Sequence, residues 1–206
     1  MSFTVFRWIL WSAVVVLFTG FGSVVGLMFL QSASQRPITP VSSTGVADIG
    51  GEFTLVDDEG QRRTWSDFRG TPVALFFGFT NCPDVCPTTL GELSVLLDDL
   101  GPQGDDLQVV LLSGDPKRDT PERLNEYLQS FDPRIVGLTG AEEEVDRAFK
   151  VFKAYRAIVP LDSGNYTVDH PAGVYLFDRK GDFFGILDSH ESKDVQRQKI
   201  ERLLAI

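Results

Sequence analysis

The sequence predicts an α/β domain with a mostly parallel sheet, preceded by one membrane-spanning segment. Val73–Phe79 is a short, continuous apolar run, which is typical of a strand buried on both faces of a sheet, and Leu107–Leu112, apolar except at Gln108, predicts a second buried strand. Each run is followed by a predicted helix, over residues 87–100 and 120–131. Strands that alternate with helices indicate parallel pairing, with the helices packed on the faces of the sheet.

The other predicted elements complete this order. Glu52–Val56 and Arg62–Trp65 flank a turn at 57–60 and predict an N-terminal β-hairpin. Further strands are predicted at 135–138, 173–177 and 183–187, and further helices at 142–155 and 193–204. The predicted order is therefore β-hairpin, β, α, β, α, β, α, β, β, α. In such sheets, functional sites form at the carboxyl ends of the central strands.

The N-terminal part of the chain predicts a membrane anchor. Trp8–Leu30 contains 23 residues without a charge, and a helix of this length spans about 35 Å at ~1.5 Å per residue. The apolar core of a bilayer is about 30 Å thick. A cleaved signal peptide is the alternative, with Ser32-Ala33-Ser34 as a cleavage site. Apolar regions of signal peptides are usually about 7–15 residues long, so an uncleaved anchor is favoured.

The predicted anchor divides the chain into four parts. Residues 1–7 form a cytoplasmic N-terminus, because Arg7 marks the side that stays inside. Residues 8–30 form the transmembrane anchor, and 31–45 form a flexible linker rich in Ser, Thr, Pro and Gly. Residues 46–206 form the exported domain. We therefore expect a single-pass protein of the inner (cytoplasmic) membrane, with its folded domain on the periplasmic side.

The composition limits the class of partner. The chain has 43% hydrophobic residues, which is far above the content of disordered proteins. Its formal net charge is −10, whereas binding to nucleic-acid phosphates requires basic patches. The composition thus predicts a folded domain that does not bind nucleic acid.

The only two cysteines, Cys82 and Cys86, follow the first predicted central strand. An exported domain favours a structural disulfide, but a bridge across so short a loop stabilises the fold only weakly. The start of a helix lowers the pKa of a thiol. The pair can therefore form or reduce a disulfide, or bind a soft metal such as copper(I).

A third metal ligand has few candidates. The two methionines, Met1 and Met28, both lie outside the predicted domain, which leaves His170 and His190. His170 lies beside Asp169, which is a possible hydrogen-bond partner for its ring, although an ordinary loop histidine fits the local sequence equally well. His190 lies in a polar stretch and is expected at the surface. Spacing alone does not bring either histidine to the cysteines.

Polar residues also follow the second central strand. The segment from Gly114 to Pro121 includes Asp115, which can orient a loop or contact a partner. A turn followed by a helix cap at Thr120 and Pro121 explains most of these residues. The phenylalanines near the cysteines are interpreted as core residues that form a dry wall beside the site.

Four motifs resemble the Sco/SenC family, in order and over nearly the whole exported domain. They are Phe77–Pro87, Asp115–Glu122, Gly137–Gly140 and Val168–His170. The resemblance extends to the membrane anchor. It implies a thioredoxin-like fold and a membrane-anchored protein that binds copper, as Cu(I), Cu(II) or both. It also implies that Cys82, Cys86 and His170 are the copper ligands.

The resemblance implies partners and leaves alternatives open. Members of the family assist assembly of the copper A centre of cytochrome c oxidase, so the expected partners are the copper A-bearing subunit and other copper chaperones or thiol reductants. A thiol-disulfide oxidoreductase is the alternative and needs only Cys82 and Cys86 as a redox pair. No motif in the sequence supports a third function, that of a peroxiredoxin-like peroxidase. The chain departs from the family at Pro171, where a small polar residue is expected, and at Gly114, where a branched apolar residue is usual.

Overall fold

The computed structural model describes residues 49–206, which form a seven-stranded sheet, a separate two-stranded sheet and four α-helices. The strands are β1 (Thr54–Asp57), β2 (Arg62–Thr64), β3 (Val73–Gly78), β4 (Gln108–Ser113), β5 (Ile135–Thr139), β6 (Ala157–Pro160), β7 (Tyr166–Asp169), β8 (Val174–Phe177) and β9 (Phe183–Leu187). The helices are α1 (Val85–Leu100), α2 (Pro121–Leu128), α3 (Glu142–Val151) and α4 (Lys193–Leu204). Short 3-10 helices span Trp65–Phe68 and Gly101–Asp106.

The strand order in the large sheet is β2-β1-β5-β4-β3-β8-β9. The three central strands, β3, β4 and β5, are parallel, and the outer strands pair antiparallel to their neighbours. Val73 pairs with Gln108 and Gly78 pairs with Ser113, so β3 and β4 end side by side. The loops that follow these two strands therefore leave the sheet at the same edge.

Both faces of the sheet are buried, as the mainly apolar sequences of its central strands predict. Phe76 of β3 faces one core cluster, while Leu75 and Phe77 face the other. The first cluster contains apolar residues of α1, α2 and α4, and the second contains those of α3. Since a fully buried Leu or Phe contributes about 1.5–3 kcal/mol, these two layers hold the loop edge of the sheet in place.

Most predicted elements are confirmed, with β9 and α4 at the predicted bounds. Helix α1 begins at Val85, two residues before its predicted start at Pro87. Proline is tolerated here because the first amides of a helix have no partner within it. Helices α2 and α3 end earlier than predicted, at Leu128 and Val151.

The hairpin of β6 and β7 is absent from the predicted order. Its strands have four residues each and pair only with each other. All four residues of β6 are exposed, and Pro160 ends it, so β6 lacks the alternation that identifies a half-buried strand. This omission matters because His170 directly follows β7.

The predicted N-terminal segments lie outside the described residues. These are the cytoplasmic residues 1–7, the anchor 8–30 and the linker 31–45, together with the first residues of the predicted domain. Among residues 49–206, no helix has both the length and the apolar character that crossing a bilayer requires.

Candidate metal centre

The two cysteines lie at the start of helix α1, as predicted. Cys82 is in the loop between β3 and α1 and is half-buried, whereas Cys86 is in the first turn of α1 and is completely buried. The backbone N–H of Cys86 donates to Cys82 Sγ over 3.4 Å. Because the first amides of a helix lack intrahelical partners, the Cys82 sulfur acts as a cap for α1. Both cysteines are free thiols.

His170 reaches the cysteines from the end of β7. Its Nε2 lies 3.7 Å from Cys86 Sγ, and its Nδ1 lies 3.0 Å from the carbonyl oxygen of Pro171. A carbonyl oxygen only accepts hydrogen bonds, so Nδ1 carries the proton and the lone pair of Nε2 faces Cys86. Asp169, the partner expected from the sequence, is exposed, and the Pro171 carbonyl orients the ring instead.

The three side chains form one cluster. Cys82 Sγ, Cys86 Sγ and a ring nitrogen of His170 all lie within 4.8 Å of one another. Bonds of about 2.0–2.3 Å to nitrogen and sulfur, as in zinc sites, place two ligands of one ion at most about 4.6 Å apart. Small movements would therefore close the cluster around a metal. Two sulfur donors and one imidazole favour a soft ion such as copper(I).

Aromatic side chains keep the imidazole dry. The rings of Phe76 and Phe79 contact the His170 ring edge-on, with centroid distances of 6.0 and 5.8 Å. Burial lowers the pKa of His170 below its usual value, and the Pro171 carbonyl and Asp169 oppose this only partly. The imidazole is therefore neutral at neutral pH and able to bind a metal. Phe76 and Phe79 thus form the apolar wall predicted beside the site, whereas Phe77, which was predicted to flank it too, packs in the core on the opposite face of the sheet.

The Cys86 thiol differs from the expectation. Burial raises its pKa, and its hydrogen bond with Cys82 raises it further. A position at a helix start was expected to lower this pKa, but the loss of hydration outweighs the helix dipole here. Cys86 is therefore a neutral thiol without metal, and any metal that binds it must displace a proton.

Gly78 provides the space for the Cys86 sulfur. A Cβ at this position would lie 2.9 Å from Leu111 Cδ1 and 3.1 Å from Cys86 Sγ. Both distances are shorter than ordinary van der Waals contacts. The end of β3 therefore requires glycine, so that α1 can bring its cysteine against the sheet.

The buried carboxylate of Asp119 fixes the strand ends beneath the site. It accepts hydrogen bonds from the Thr80 N–H (3.0 Å), Thr80 Oγ1 (2.7 Å) and Ser113 Oγ (2.6 Å). Burial raises the pKa of Asp119 despite these bonds. Because Thr80 is two residues before Cys82, this network holds the start of the cysteine loop. The role of Asp119 was not predicted from the sequence; the available signal was the pair of hydroxyl residues, Thr80 just after β3 and Ser113 at the end of β4.

The structure explains why Gly114 stands where the Sco/SenC family usually has a branched apolar residue. A Cβ there would lie 3.3 Å from Val168 Cγ1 in β7 and 3.4 Å from Phe149 Cζ. Strand β7 thus packs closely over Gly114, and a branched side chain at this position would press against the strand that leads to His170.

Replacing Gly114 by valine is therefore expected to displace β7. Overpacking of this kind typically costs about 1–3 kcal/mol, so the free energy of unfolding should fall by that amount in a denaturant titration. The nuclear Overhauser effect between His170 Hε1 and Cys86 Hβ should weaken. Gly185→Val in β9 is the matched control, because a Cβ at Gly185 meets nothing within 4 Å. A Gly114→Val protein with the stability and ring contact of the original would contradict this account.

His190 is not part of the cluster. Its side chain is 94% exposed and its Nδ1 lies 2.8 Å from Asp188 Oδ1. The surface position predicted for it is confirmed, and His170 is the histidine that the fold brings to the cysteines.

A family model described as SCO1/SenC matches residues 41–205. Among curated relatives, "Protein sco1" of Schizosaccharomyces pombe is 36% identical over 162 residues, covering 76% of this chain and 62% of that protein. The chain thus spans less than two thirds of that relative's length. A "SCO2-like protein" of Rickettsia felis is 35% identical over 166 residues, covering 77% of this chain and 81% of the relative.

Two similar solved structures contain copper. Bradyrhizobium japonicum ScoI with copper bound has a TM-score of 0.71 and 39% identity, covering 75% of this chain and 99% of that one. Yeast Sco1 with copper bound has a TM-score of 0.72 and 36% identity, covering 77% and 89%. These likenesses confirm the thioredoxin-like α/β fold. With a family match over most of its length, the chain belongs to the SCO1/SenC family.

Proposed function

We propose that this protein is a membrane-anchored copper chaperone that takes part in assembly of cytochrome c oxidase. Its cargo is one copper ion, held by Cys82, Cys86 and His170. The observation that carries this proposal is the convergence of the three donor atoms within 4.8 Å. Relatives of similar fold, ScoI and Sco1, have been solved with copper bound.

The three ligands have different tasks in this mechanism. Cys82 is half-buried and meets incoming copper first. Cys86 is buried behind it and loses its proton when copper binds. His170 enters as a neutral ligand through Nε2, because its other nitrogen is held by the Pro171 carbonyl. The soft thiolates favour Cu(I), while thiolate and imidazole together also accept Cu(II).

The proposed setting is the periplasmic side of the inner membrane. In this proposal, residues 8–30 are the anchor and residues 31–45 are the flexible linker that the sequence predicts. A domain tethered in this way suits a recipient that is itself bound to the membrane. We propose the copper A-bearing subunit of the oxidase as this recipient, and other copper chaperones or thiol reductants as suppliers of copper or electrons.

A thiol-disulfide oxidoreductase is the second candidate. The N–H of Cys86 donates to Cys82 Sγ and orients the more exposed sulfur at the start of α1, where it can attack a partner's disulfide. In that reaction Cys82 and Cys86 form a disulfide with each other. Their two electrons and two protons pass to the partner, whose two sulfurs become thiols. His170 has no part in this exchange.

Copper titration of the full chain tests the proposal. The reduced protein is expected to bind one Cu(I) per chain, and the oxidised protein is expected to bind none with comparable affinity, because a disulfide leaves no thiolate. Competition with a chromogenic Cu(I) chelator measures both affinities. Equal binding by the reduced and oxidised forms would rule out the three-ligand site, and so would failure of the reduced protein to bind copper.

A further inference from the structure

The hairpin of β6 and β7, which leads to His170, makes few backbone hydrogen bonds with the rest of the domain. Strands β6 and β7 form their own two-stranded sheet, and all residues of β6 are exposed. The distance between His170 and the cysteines therefore depends on side chains that connect the hairpin to the large sheet.

Asp115, Arg118 and Tyr166 make such a connection. The Arg118 Nε–H donates to the Asp115 carboxylate, and the Tyr166 hydroxyl donates to Asp115 Oδ1 over 2.9 Å. Arg118 Nη1 also donates to the Tyr166 carbonyl and to Asn165 Oδ1, each over 3.2 Å. The guanidinium carbon lies 3.8 Å from the centre of the Tyr166 ring. The loop between β4 and α2 is thus bound to Tyr166, the first residue of β7, by hydrogen bonds and by stacking.

Burial strengthens the hydrogen bonds in this connection. The side chain of Asp115 is 1% exposed and that of Arg118 is 20% exposed. Charge-assisted hydrogen bonds are strengthened where water is excluded. The planar guanidinium makes several bonds in fixed directions and stacks on the tyrosine ring, which lysine cannot reproduce. The same loop holds the cysteine side of the site, because Asp119 binds Thr80.

We propose that Asp115, Arg118 and Tyr166 are positioning residues that hold His170 at binding distance from Cys82 and Cys86. The inference rests on the copper site proposed above. A third ligand held in place before copper arrives reduces the ordering that binding requires, and so raises the affinity. The three residues act through His170 and do not contact the copper themselves.

The test uses Arg118→Lys and Tyr166→Phe in the full chain. Tyr166→Phe keeps the ring under Arg118 and removes only the hydroxyl. Arg123→Lys is the matched control, because Arg123 forms an exposed ion pair with Glu126 on α2. The loss of one or two hydrogen bonds to a charged group should weaken Cu(I) binding about three- to tenfold. The control should bind like the original protein.

Two further readouts separate positioning from general stabilisation. Without copper, hydrogen–deuterium exchange should rise in β7 and at His170 in both test variants, but not in α1. In a His170→Ala background, Arg118→Lys should cause no further loss of affinity, because the residue through which it acts is gone. Should Arg118→Lys fail to fold, Tyr166→Phe carries the test alone.

The outcomes are distinguishable. Unchanged copper affinity in both variants would overturn the proposal, and so would an equal loss of affinity in the His170→Ala background. A rise in exchange throughout the domain would assign the three residues to stability alone. If the original protein binds no copper, the proposed function fails, whereas the exchange experiment still decides whether these residues hold the hairpin.

Discussion

Replacing Cys86 by serine is expected to weaken copper(I) binding more than about 100-fold. Loss of a residue that merely supports a ligand costs about 10- to 100-fold in metal affinity, and this change removes a ligand itself. A serine hydroxyl is a hard oxygen donor and does not replace a thiolate for a soft ion. Chelator competition with the reduced full chain measures the effect.

The stability of the Cys86→Ser protein must be measured alongside its affinity. Cys86 is completely buried, and burying a hydroxyl without a partner costs about 1–3 kcal/mol. Cys82→Ser is the companion variant, because Cys82 is half-buried and should lose copper with a smaller fall in unfolding free energy. A folded Cys86→Ser protein that retains the original affinity would exclude Cys86 as a ligand.

Replacing His170 by alanine is expected to weaken copper binding at least about tenfold while thiol-disulfide exchange remains largely intact. The change removes the Nε2 donor and leaves both cysteines in place. Copper affinity is measured as above, and exchange is measured as the rate at which the reduced protein reduces a small disulfide. His190→Ala is the matched control, because that side chain is 94% exposed and does not belong to the cluster.

The His170→Ala variant also separates the two candidate functions. A chaperone needs all three ligands, so oxidase assembly in cells should fail in His170→Ala as it does in the cysteine variants. If assembly fails without either cysteine but continues without His170, the oxidoreductase function is correct. Unchanged copper affinity in His170→Ala would exclude the histidine as a ligand.

The central part of the fold could be predicted from local patterns. Val73–Gly78 and Val109–Leu112 are buried on both faces of the sheet, so these stretches contain no polar side chain. The place of Cys82 and Cys86 follows from the rule that parallel strands end at one edge. The hairpin of β6 and β7 did not follow, because a strand exposed on every residue has no periodic signal.

The third ligand illustrates the limit of local reasoning. His170 and Cys86 are 84 residues apart, and only the undetected hairpin brings them together. The family resemblance named His170, whereas the residue pattern left it undecided. The sequence indicates that Asp115 can orient a loop or contact a partner, whereas a turn and a helix cap explain most of the segment, Asp119 included. Thr120 does cap α2, but the burial of the two carboxylates depends on strands and loops that meet only in the folded domain.

The hydrogen bond from the Cys86 amide to the Cys82 sulfur makes that sulfur serve two partners. The negative charge of a metal-bound thiolate strengthens this hydrogen bond, whereas a disulfide sulfur accepts it only weakly. The hydrogen bonding of the first turn of α1 then depends on the charge state of the Cys82 sulfur. The geometry of this turn is therefore expected to differ between the copper-bound, reduced and disulfide forms of the protein.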